Sequence, residues 1–395
     1  MTDWTGGITT LLPADAHRAT LVGRAWDPAV RGPSVVTVRD GIAIDLSAHV
    51  ATMSELTEST LRVATLSGPP LGRVADLLAN TPESDRDPMA PWLLSPIDLH
   101  VVKAAGVTFP VSMLERVIEE KAQGLVGAAD SIRAGILESL GTDLADLVPG
   151  SPEAMRLKEH LVAEGLWSQY LEVGIGPDAE IFTKAPVLAT VGTAVDVGVR
   201  SDSNWNNPEP EVVLVVASDG RIVGAALGND VNLRDIEGRS ALLLGQAKDN
   251  NASASIGPFI RLFDDSFDLD ALRHETVTLR VEGVDGFVLD ASSHMQQISR
   301  DPVDLAGQAV GSRHQYPDGF VLYLGTMFAP SDDRGQAGHG FTHHRDDVVR
   351  IASPLLGALV NRVRLTEEVS PWTYGIGALM SNLAERGLLT KEVPK

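Results

Sequence analysis

Short apolar runs separated by turn residues dominate the first part of the chain. Runs over 19–24, 34–38 and 42–46 predict strands, and Arg39-Asp40-Gly41 predicts the turn between the last two. A polar, proline-rich stretch over 80–91 then has the composition of a linker. The pattern therefore predicts a small β-rich N-terminal domain over residues 1–95.

The rest of the chain begins with a strand, continues with helices and returns to strands. An apolar run over 101–107 predicts the strand. Apolar residues then recur at three- and four-residue intervals, which predicts helices over 111–123, 128–140 and 152–164. From about residue 170 strands dominate, and a closing helix is predicted over 373–386. The fold class is therefore predicted to be strand-rich α+β, with a second domain over 96–395.

The dipeptide Asp219-Gly220 predicts a two-residue hairpin turn between two apolar strands. Such a turn fixes the pairing of the strands, because each residue before it then faces one residue after it. Val216 would face Val223, and Glu211 would face Gly228. The missing side chain of Gly228 is expected to leave open space beside Glu211.

The same register places Glu209 opposite Asp230 and on the same sheet face as Glu211, since side chains alternate along a strand. Three carboxylates this close repel one another unless shared protons, a basic residue or a cation offset them. A hard cation such as Mg2+ prefers oxygen ligands, and Mn2+ is an acceptable substitute. A solvated acidic strand end is the alternative, and Pro210 restricts this strand to an edge or a strand start.

The composition excludes several classes of function. With 32 basic and 53 acidic residues the net charge is −21, which disfavours nucleic acid and anionic membranes as partners. The chain has no cysteine, which excludes disulfides and zinc–thiolate sites. It contains neither G-x-S-x-G nor G-x-G-x-x-G. Without a signal peptide or a long apolar run, a cytoplasmic location is expected.

Several short motifs follow one another in the second block. They are Pro177-x-x-x-x-Phe182-x-Lys184, Glu209-Pro210-Glu211, Gly228-Asn229-Asp230, Arg234-Asp235, Lys248, Gly257-Pro258 and Leu324-Gly325-Thr326. Together they resemble the fumarylacetoacetate hydrolase family over about residues 96–395. The resemblance implies a mixed β-roll catalytic domain with a helical lid at about 111–168. It also implies Mg2+, with Mn2+ as a substitute, on Glu209, Glu211 and Asp230.

One departure from the family concerns the predicted lid helix. Hydrolases of the family carry a histidine and a glutamate three residues apart there, and in this chain Ser112 stands at the histidine position before Glu115. Serine cannot act as the base of a water-activating pair near neutral pH. Longer stretches, such as Lys103–Phe109 and Leu166–Glu172, resemble the family's 2-keto-3-deoxy-pentonate dehydratases. A metal-dependent hydrolase or decarboxylase of 2,4-diketo acids is the alternative.

The resemblance to these dehydratases implies roles for individual residues. It assigns catalysis to Glu115, Lys248 and Ser112, and substrate binding to Thr326, Lys184 and Phe109. The implied substrate is a small sugar acid, and the implied assembly is a homodimer or homotetramer. A surface lysine, a solvated helix face and a helix cap are the ordinary explanations for Lys248, Glu115 and Ser112.

Overall fold

The computed structural model describes residues 4–5, 11–123, 147–163, 165, 167–328, 330, 332–334 and 340–389. The strands in chain order are β1 Leu21–Asp27, β2 Gly32–Arg39, β3 Ile42–Asp45, β4 Pro70–Arg73, β5 Trp92–Leu93, β6 Val101–Gly106, β7 Glu180–Ala185, β8 Val195–Val199, β9 Asn206–Asn207, β10 Pro210–Val216, β11 Ile222–Asp230, β12 Asn232–Leu233, β13 Ala254–Leu262, β14 Thr276–Glu282, β15 Val288–His294, β16 Phe320–Tyr323, β17 Val348–Ser353 and β18 Gly357–Leu365.

The described helices range from 4 to 13 residues in length. In chain order they are α1 Met53–Glu58, α2 Val74–Ala79, α3 Pro110–Ala122, α4 Pro152–Ala163, α5 Gln169–Ile175, α6 Arg234–Glu237, α7 Leu244–Lys248, α8 Leu269–Arg273, α9 Pro302–Ala309 and α10 Ile376–Glu385. In the part of the chain that the structure describes, no helix has the length and apolar character needed to cross a membrane.

One large sheet forms the frame of the molecule. Its strands follow the order β4-β3-β2-β1-β13-β11-β10-β16-β6-β7, with β5 paired to β1. The N-terminal strands join the later ones through β1 and β13, where Leu21 pairs with Arg261. The sheet thus runs across the domain boundary placed near residue 95, and that boundary stays a prediction.

A second sheet, in the order β15-β14-β17-β18-β8, covers one face of the large sheet. Leu214 and Leu227 of the large sheet pack there with Leu279 and Ile351 of the second sheet in the main core. On the opposite face, alternate residues of the same strands, including Val213, build a separate core with the N-terminal region. Glu211 and Val213 are two residues apart on β10, so their side chains point to this same face. The polar cluster described below, which includes Glu211, therefore lies on it.

Most predicted elements are present with small shifts at their ends. The three predicted N-terminal strands correspond to β1, β2 and β3, and two of the predicted helices correspond to α3 and α4. The closing helix begins at Ile376 rather than at residue 373. The helix predicted over 128–140 lies outside the described residues. Helices α3, α4 and α5 pack together through a small apolar cluster that includes Met113, Leu161 and Leu171.

The hairpin between β10 and β11 follows the predicted register except next to its turn. Glu211 pairs with Gly228 as predicted, and the register is constant up to Val215. Val216 then pairs with Ile222, so the predicted pairing of Val216 with Val223 is wrong. The reason is a β-bulge beside the turn, which adds one residue to the returning strand.

Candidate functional site

Three carboxylates meet where β10 begins and β11 ends. Glu209 directly precedes β10, Glu211 is its second residue, and Asp230 is the last residue of β11. The backbone N–H of Asp230 donates to the carbonyl of Glu209 over 3.0 Å. All three side chains are buried, and each offers an oxygen that lies within 4.8 Å of the other two. The convergence predicted from strand alternation is therefore present, and this carboxylate triad could hold a metal ion.

The space beside Glu211 is filled rather than open. A Cβ at Gly228 would lie 2.4 Å from Cε1 of Tyr323 and 2.5 Å from Cγ2 of Val213. The prediction that Gly228 leaves open space is therefore wrong, because the tyrosine ring on β16 already occupies it. The Tyr323 hydroxyl donates to the carbonyl of Ser255 over 2.8 Å, which holds the ring in place. Glycine is required here by close packing.

Two buried lysines neutralise part of the triad. Lys248, at the end of α7, places Nζ 2.6 Å from Oε2 of Glu209 and 3.1 Å from Oδ2 of Asp230. Lys184 of β7 places Nζ 2.7 Å from Oδ1 of Asp230. Lys184 is the extra residue at an irregularity in the β6–β7 pairing, and such bulges redirect side chains. Both lysines predicted from the motifs therefore lie at the triad.

A guanidinium from α3 completes the basic surroundings of the triad. Arg116 contacts Glu209 directly, and its other terminal nitrogen lies 3.0 Å from Oε2 of Glu237 at the end of α6. Arg116 and Glu237 are both buried. This arrangement connects helix α3 to the carboxylate triad through one side chain.

Glu209 and Glu211 have opposite protonation tendencies although they are two residues apart. Burial alone would raise the pKa of Glu209, but Arg116 and Lys248 outweigh burial and hold that pKa at about 2. Burial, together with the charges of Asp230 and Glu209, raises the pKa of Glu211 well above its usual range. Burial without enough positive charge nearby therefore favours the neutral form of Glu211.

The donor set of the triad fits a hard divalent cation. All three residues offer carboxylate oxygens, which are the ligands that Mg2+ prefers in proteins. Within the described residues Glu211 forms no ion pair, whereas Glu209 and Asp230 both do. The basic neighbours thus leave one carboxylate without a compensating charge, and a cation between the three would supply it.

The two lid residues predicted for catalysis both lie on α3. Glu115 is buried, with Oε2 3.9 Å from a terminal nitrogen of Arg234, whose guanidinium lies 5.2 Å from the centre of the Trp205 ring. Ser112 is also buried, and its hydroxyl donates to the carbonyl of Phe109 over 2.9 Å. That bond commits the hydroxyl proton of Ser112 to the backbone. The catalytic roles of Glu115 and Ser112 stay predictions.

The residues predicted to bind substrate occupy different surroundings. Thr326 lies beside the triad, with its hydroxyl 3.4 Å from Oε1 of Glu211, and the neighbouring backbone N–H of Gly325 donates to Oε2 of the same glutamate over 2.7 Å. The side chain of Phe109 is fully buried and packs in the main core. The substrate contacts of Thr326, Lys184 and Phe109 stay predictions.

Sequence reasoning missed Arg116 and Glu237. Arg116 directly follows Glu115 in a stretch rich in charged residues, a composition typical of a solvated helix face. Its spacing of three residues from the buried Met113 was the available signal, since residues three apart share a helix face. Glu237 carried no such signal, because the tertiary fold alone brings α6 to α3.

The chain resembles known dehydratases in sequence. No protein-family model matches it. It is 29% identical over 194 residues to a 2-dehydro-3-deoxy-D-arabinonate dehydratase of Saccharolobus solfataricus, covering 48% of this chain and 60% of that protein. It is 32% identical over 195 residues to a probable 2-keto-3-deoxyxylonate dehydratase of Haloferax volcanii, covering 49% of this chain and 63% of that protein. The matches thus span under two thirds of either relative.

Solved structures share the fold over most of the chain. A 2-keto-3-deoxy-D-arabinonate dehydratase complexed with magnesium and 2,5-dioxopentanoate has 20% identity and a TM-score of 0.61, covering 87% of this chain and 99% of that one. A fumarylacetoacetate hydrolase from Exiguobacterium antarcticum has 16% identity and a TM-score of 0.54, covering 88% and 100%. The predicted strand-rich, fumarylacetoacetate hydrolase-like fold is confirmed, and the resemblance seen in the motifs extends to both sequence and structure.

Proposed function

We propose that this chain is a divalent-metal-dependent dehydratase that converts 2-keto-3-deoxy-D-xylonate to 2,5-dioxopentanoate and water. The substrate is the same compound as 2-dehydro-3-deoxy-D-arabinonate, which appears in the name of one curated relative. The observation that carries the proposal is the buried triad, in which Lys248 bridges Glu209 and Asp230 while Glu211 has no ion-pair partner among the described residues. Mg2+ is the proposed cation, and Mn2+ is the proposed substitute.

A cation on the triad would act as a Lewis acid toward a 2-keto acid and make the protons on C3 more acidic. Glu115 is the proposed base for one of these protons. It is buried on α3, the helix that Arg116 connects to the triad. A carboxylate held in a buried site can remove a proton without competing water, provided that the substrate reaches it.

Lys248 is the proposed stabiliser of the enolate that forms when C3 loses a proton. The charges of Asp230 and Glu209 raise its pKa above the usual range despite burial, so Lys248 stays cationic. A fixed cation in a site shielded from water stabilises developing negative charge effectively. Because the Ser112 proton is committed to Phe109, Ser112 can offer the substrate only an acceptor.

A direct assay distinguishes this proposal from the alternative of a 2,4-diketo acid hydrolase or decarboxylase. Bound metal would be removed with EDTA, and the protein would then be incubated with 2-keto-3-deoxy-D-xylonate in the presence and absence of Mg2+. The products would be identified by 1H NMR. We expect 2,5-dioxopentanoate only when Mg2+ or Mn2+ is restored. The C4 epimer serves as a control for the configuration that the pocket accepts. Faster release of pyruvate from an acylpyruvate would contradict the dehydratase proposal.

The proposal extends to the assembly and the location of the protein. We propose that it forms a homodimer or homotetramer in the cytoplasm, which fits a metabolic dehydratase of small sugar acids. Sedimentation velocity of the full chain measures the assembly directly.

A further inference from the structure

Two asparagines continue the strand pairing of the hairpin beyond the triad. Asn207 of β9 pairs with Asn232 of β12. Two residues further along each strand, the backbone N–H of Asp230 donates to the carbonyl of Glu209. Strands β9 and β12 therefore continue the ladder of β10 and β11, and the two asparagines are the next cross-strand pair after the two metal-site carboxylates.

The side chains of these asparagines lie on the same face as the triad. Val231 and Leu233, the neighbours of Asn232, pack in the main core on the opposite face. Side chains alternate along a strand, so Asn232 and Asp230 both point away from that core. Asn207 lies directly opposite Asn232 and shares its face. The polar face thus runs from the triad to Asn207 and Asn232, the amide pair.

The amide pair is fully buried, and most of its polar atoms have no partner. Nδ2 of Asn207 donates to the carbonyl of Pro208 over 2.9 Å. Oδ1 of Asn207 and both Oδ1 and Nδ2 of Asn232 form no hydrogen bond with any described residue. Buried polar atoms are nearly always paired in folded proteins, and leaving them unpaired costs stability. Three such atoms together indicate a place where a polar group binds.

Packing at the far end of the triad directs a bound substrate toward the amide pair. Beyond Glu211, the ring of Tyr323 and the side chain of Val213 fill the place that a Cβ at Gly228 would need. A 2-keto acid held at the triad by its first two carbons therefore extends along the face in the opposite direction. Two residues along a strand span about 6.6 Å, a distance that a five-carbon chain with its terminal hydroxyl can bridge.

We propose that the amide pair binds the C5 hydroxyl of the sugar acid and selects substrates that carry it, an inference that rests on the proposed dehydration. A hydroxyl both donates and accepts, and a side-chain amide offers an N–H donor and a carbonyl acceptor. Nδ2 of Asn232 donates to the hydroxyl oxygen, and Oδ1 of Asn207 accepts the hydroxyl proton. With both ends of the substrate held, the C3–C4 bond between them is fixed for the loss of the C4 hydroxyl.

The first test needs only the wild type and two substrates. One is 2-keto-3-deoxy-D-xylonate, and the other is 4-hydroxy-2-oxopentanoate with the same configuration at C4, which keeps the leaving hydroxyl and lacks the one on C5. We expect kcat/KM to be at least about 100-fold lower for the second, because its methyl group leaves the buried amides unpaired. Equal kcat/KM for the two substrates would overturn the inference.

The second test assigns this preference to the amide pair through Asn232→Leu, which keeps the approximate volume and removes the amide. Asn361→Leu is the matched control, since Asn361 is also buried but donates to the carbonyls of Gly192 and Val195. In Asn232→Leu, kcat/KM for the sugar acid is expected to fall about 100-fold and that for the 5-deoxy substrate by less than about tenfold. Asn361→Leu is expected to keep the wild-type preference. A full preference in Asn232→Leu would overturn the assignment.

A binding measurement gives a readout without turnover. Neither 5-hydroxy-2-oxopentanoate nor 2-oxopentanoate has a C4 hydroxyl, so neither can be dehydrated. Calorimetry of the Mg2+-loaded wild type is expected to show at least about tenfold tighter binding of the hydroxylated compound, and Asn232→Leu is expected to bind both alike. Ring closure of the hydroxylated compound affects wild type and variant equally. A tenfold preference that persists in Asn232→Leu would contradict the inference.

Unfolding separates a binding role from a structural one. In metal-free protein, Asn232→Leu is expected to keep or raise the urea midpoint, because it removes buried polar atoms that have no partner. Asn361→Leu is expected to lower the midpoint, since it leaves two buried carbonyls unpaired. A lowered midpoint or a lost Mg2+ affinity in Asn232→Leu would show that this amide serves the fold or the metal instead.

These outcomes also separate the inference from the proposed function. If the wild type produces 2,5-dioxopentanoate but does not prefer substrates with the C5 hydroxyl, the inference fails while the dehydratase proposal stands. If the wild type yields no 2,5-dioxopentanoate, the proposed function fails, and the inference fails with it.

Discussion

At the scale of single residues, the carboxylates of the site differ in how many cationic side chains contact them. Glu209 has two buried cationic partners, Arg116 and Lys248. Glu211 receives hydrogen bonds from Gly325 and Thr326 but no ion pair from a described residue. The effect of removing a charge should therefore differ between these two neighbouring glutamates.

Replacing Glu211 by Gln should leave the metal-free protein about as stable as the wild type, because burial and the neighbouring carboxylates already favour the neutral form of Glu211 and Gln is neutral and similar in shape. Replacing Glu209 by Gln should lower the free energy of unfolding by about 3–5 kcal/mol, since two buried cations lose a partner. Urea denaturation of the EDTA-treated variants measures both effects.

The Glu211→Gln variant should nevertheless bind Mg2+ at least about tenfold more weakly. Even the loss of a residue that only hydrogen-bonds to a metal ligand weakens metal binding by that factor. Calorimetric titration of the folded variant measures this loss. Unchanged Mg2+ affinity in Glu211→Gln would show that this carboxylate is no ligand.

Strand alternation was enough to predict the triad because Glu209, Glu211 and Asp230 lie in one hairpin. The partners of the triad come from farther away in the sequence. Arg116 is contributed by α3, and local spacing only places it on the buried face of that helix without naming what it contacts. Such contacts depend on tertiary packing, which no pattern within a single element determines.

At the scale of elements, close packing of three neighbouring strands holds the triad. Gly228 of β11 allows the ring of Tyr323 on β16 to lie against it. The register of the hairpin could be predicted from Asp219-Gly220, but the bulge beside the turn could not. Whether a bulge forms depends on the curvature of the sheet and on the neighbouring strands. A two-residue turn motif carries no information about either.

Changing Gly228 to Ala should destabilise the protein by about 1–3 kcal/mol through overpacking against Tyr323 and Val213. Gly245→Ala is the matched control, because a Cβ there meets nothing within 4 Å. In helix α7 that control should be neutral or stabilising by up to about 1 kcal/mol. Thermal unfolding of both variants measures the difference, and equal stabilities would refute the packing argument.

At the scale of the whole molecule, the large sheet joins the first part of the chain to the rest. Strand β1 pairs with β13, and Leu21 packs with Phe259 in a shared core. The composition of residues 80–91 predicted a linker. Local polarity carries no information about strands that pair across such a segment, so the continuous sheet could not be predicted from it. The fold class was more predictable, since it follows from the many short apolar runs.

The continuous sheet predicts that residues on both sides of position 95 unfold together. Hydrogen exchange in increasing urea should show β1 and β11 losing protection in one transition, because opening β1 exposes the edge of β13. Earlier loss of protection in residues 21–45 alone would instead show an independently unfolding N-terminal domain.

The central claim is that the buried triad binds a divalent cation, and anomalous diffraction from crystals grown with Mn2+ tests it most directly. The account predicts one anomalous peak bounded by the carboxylates of Glu209, Glu211 and Asp230, with Lys248 beside it. A map without a peak there, with both lysines still paired to the carboxylates, would contradict the claim.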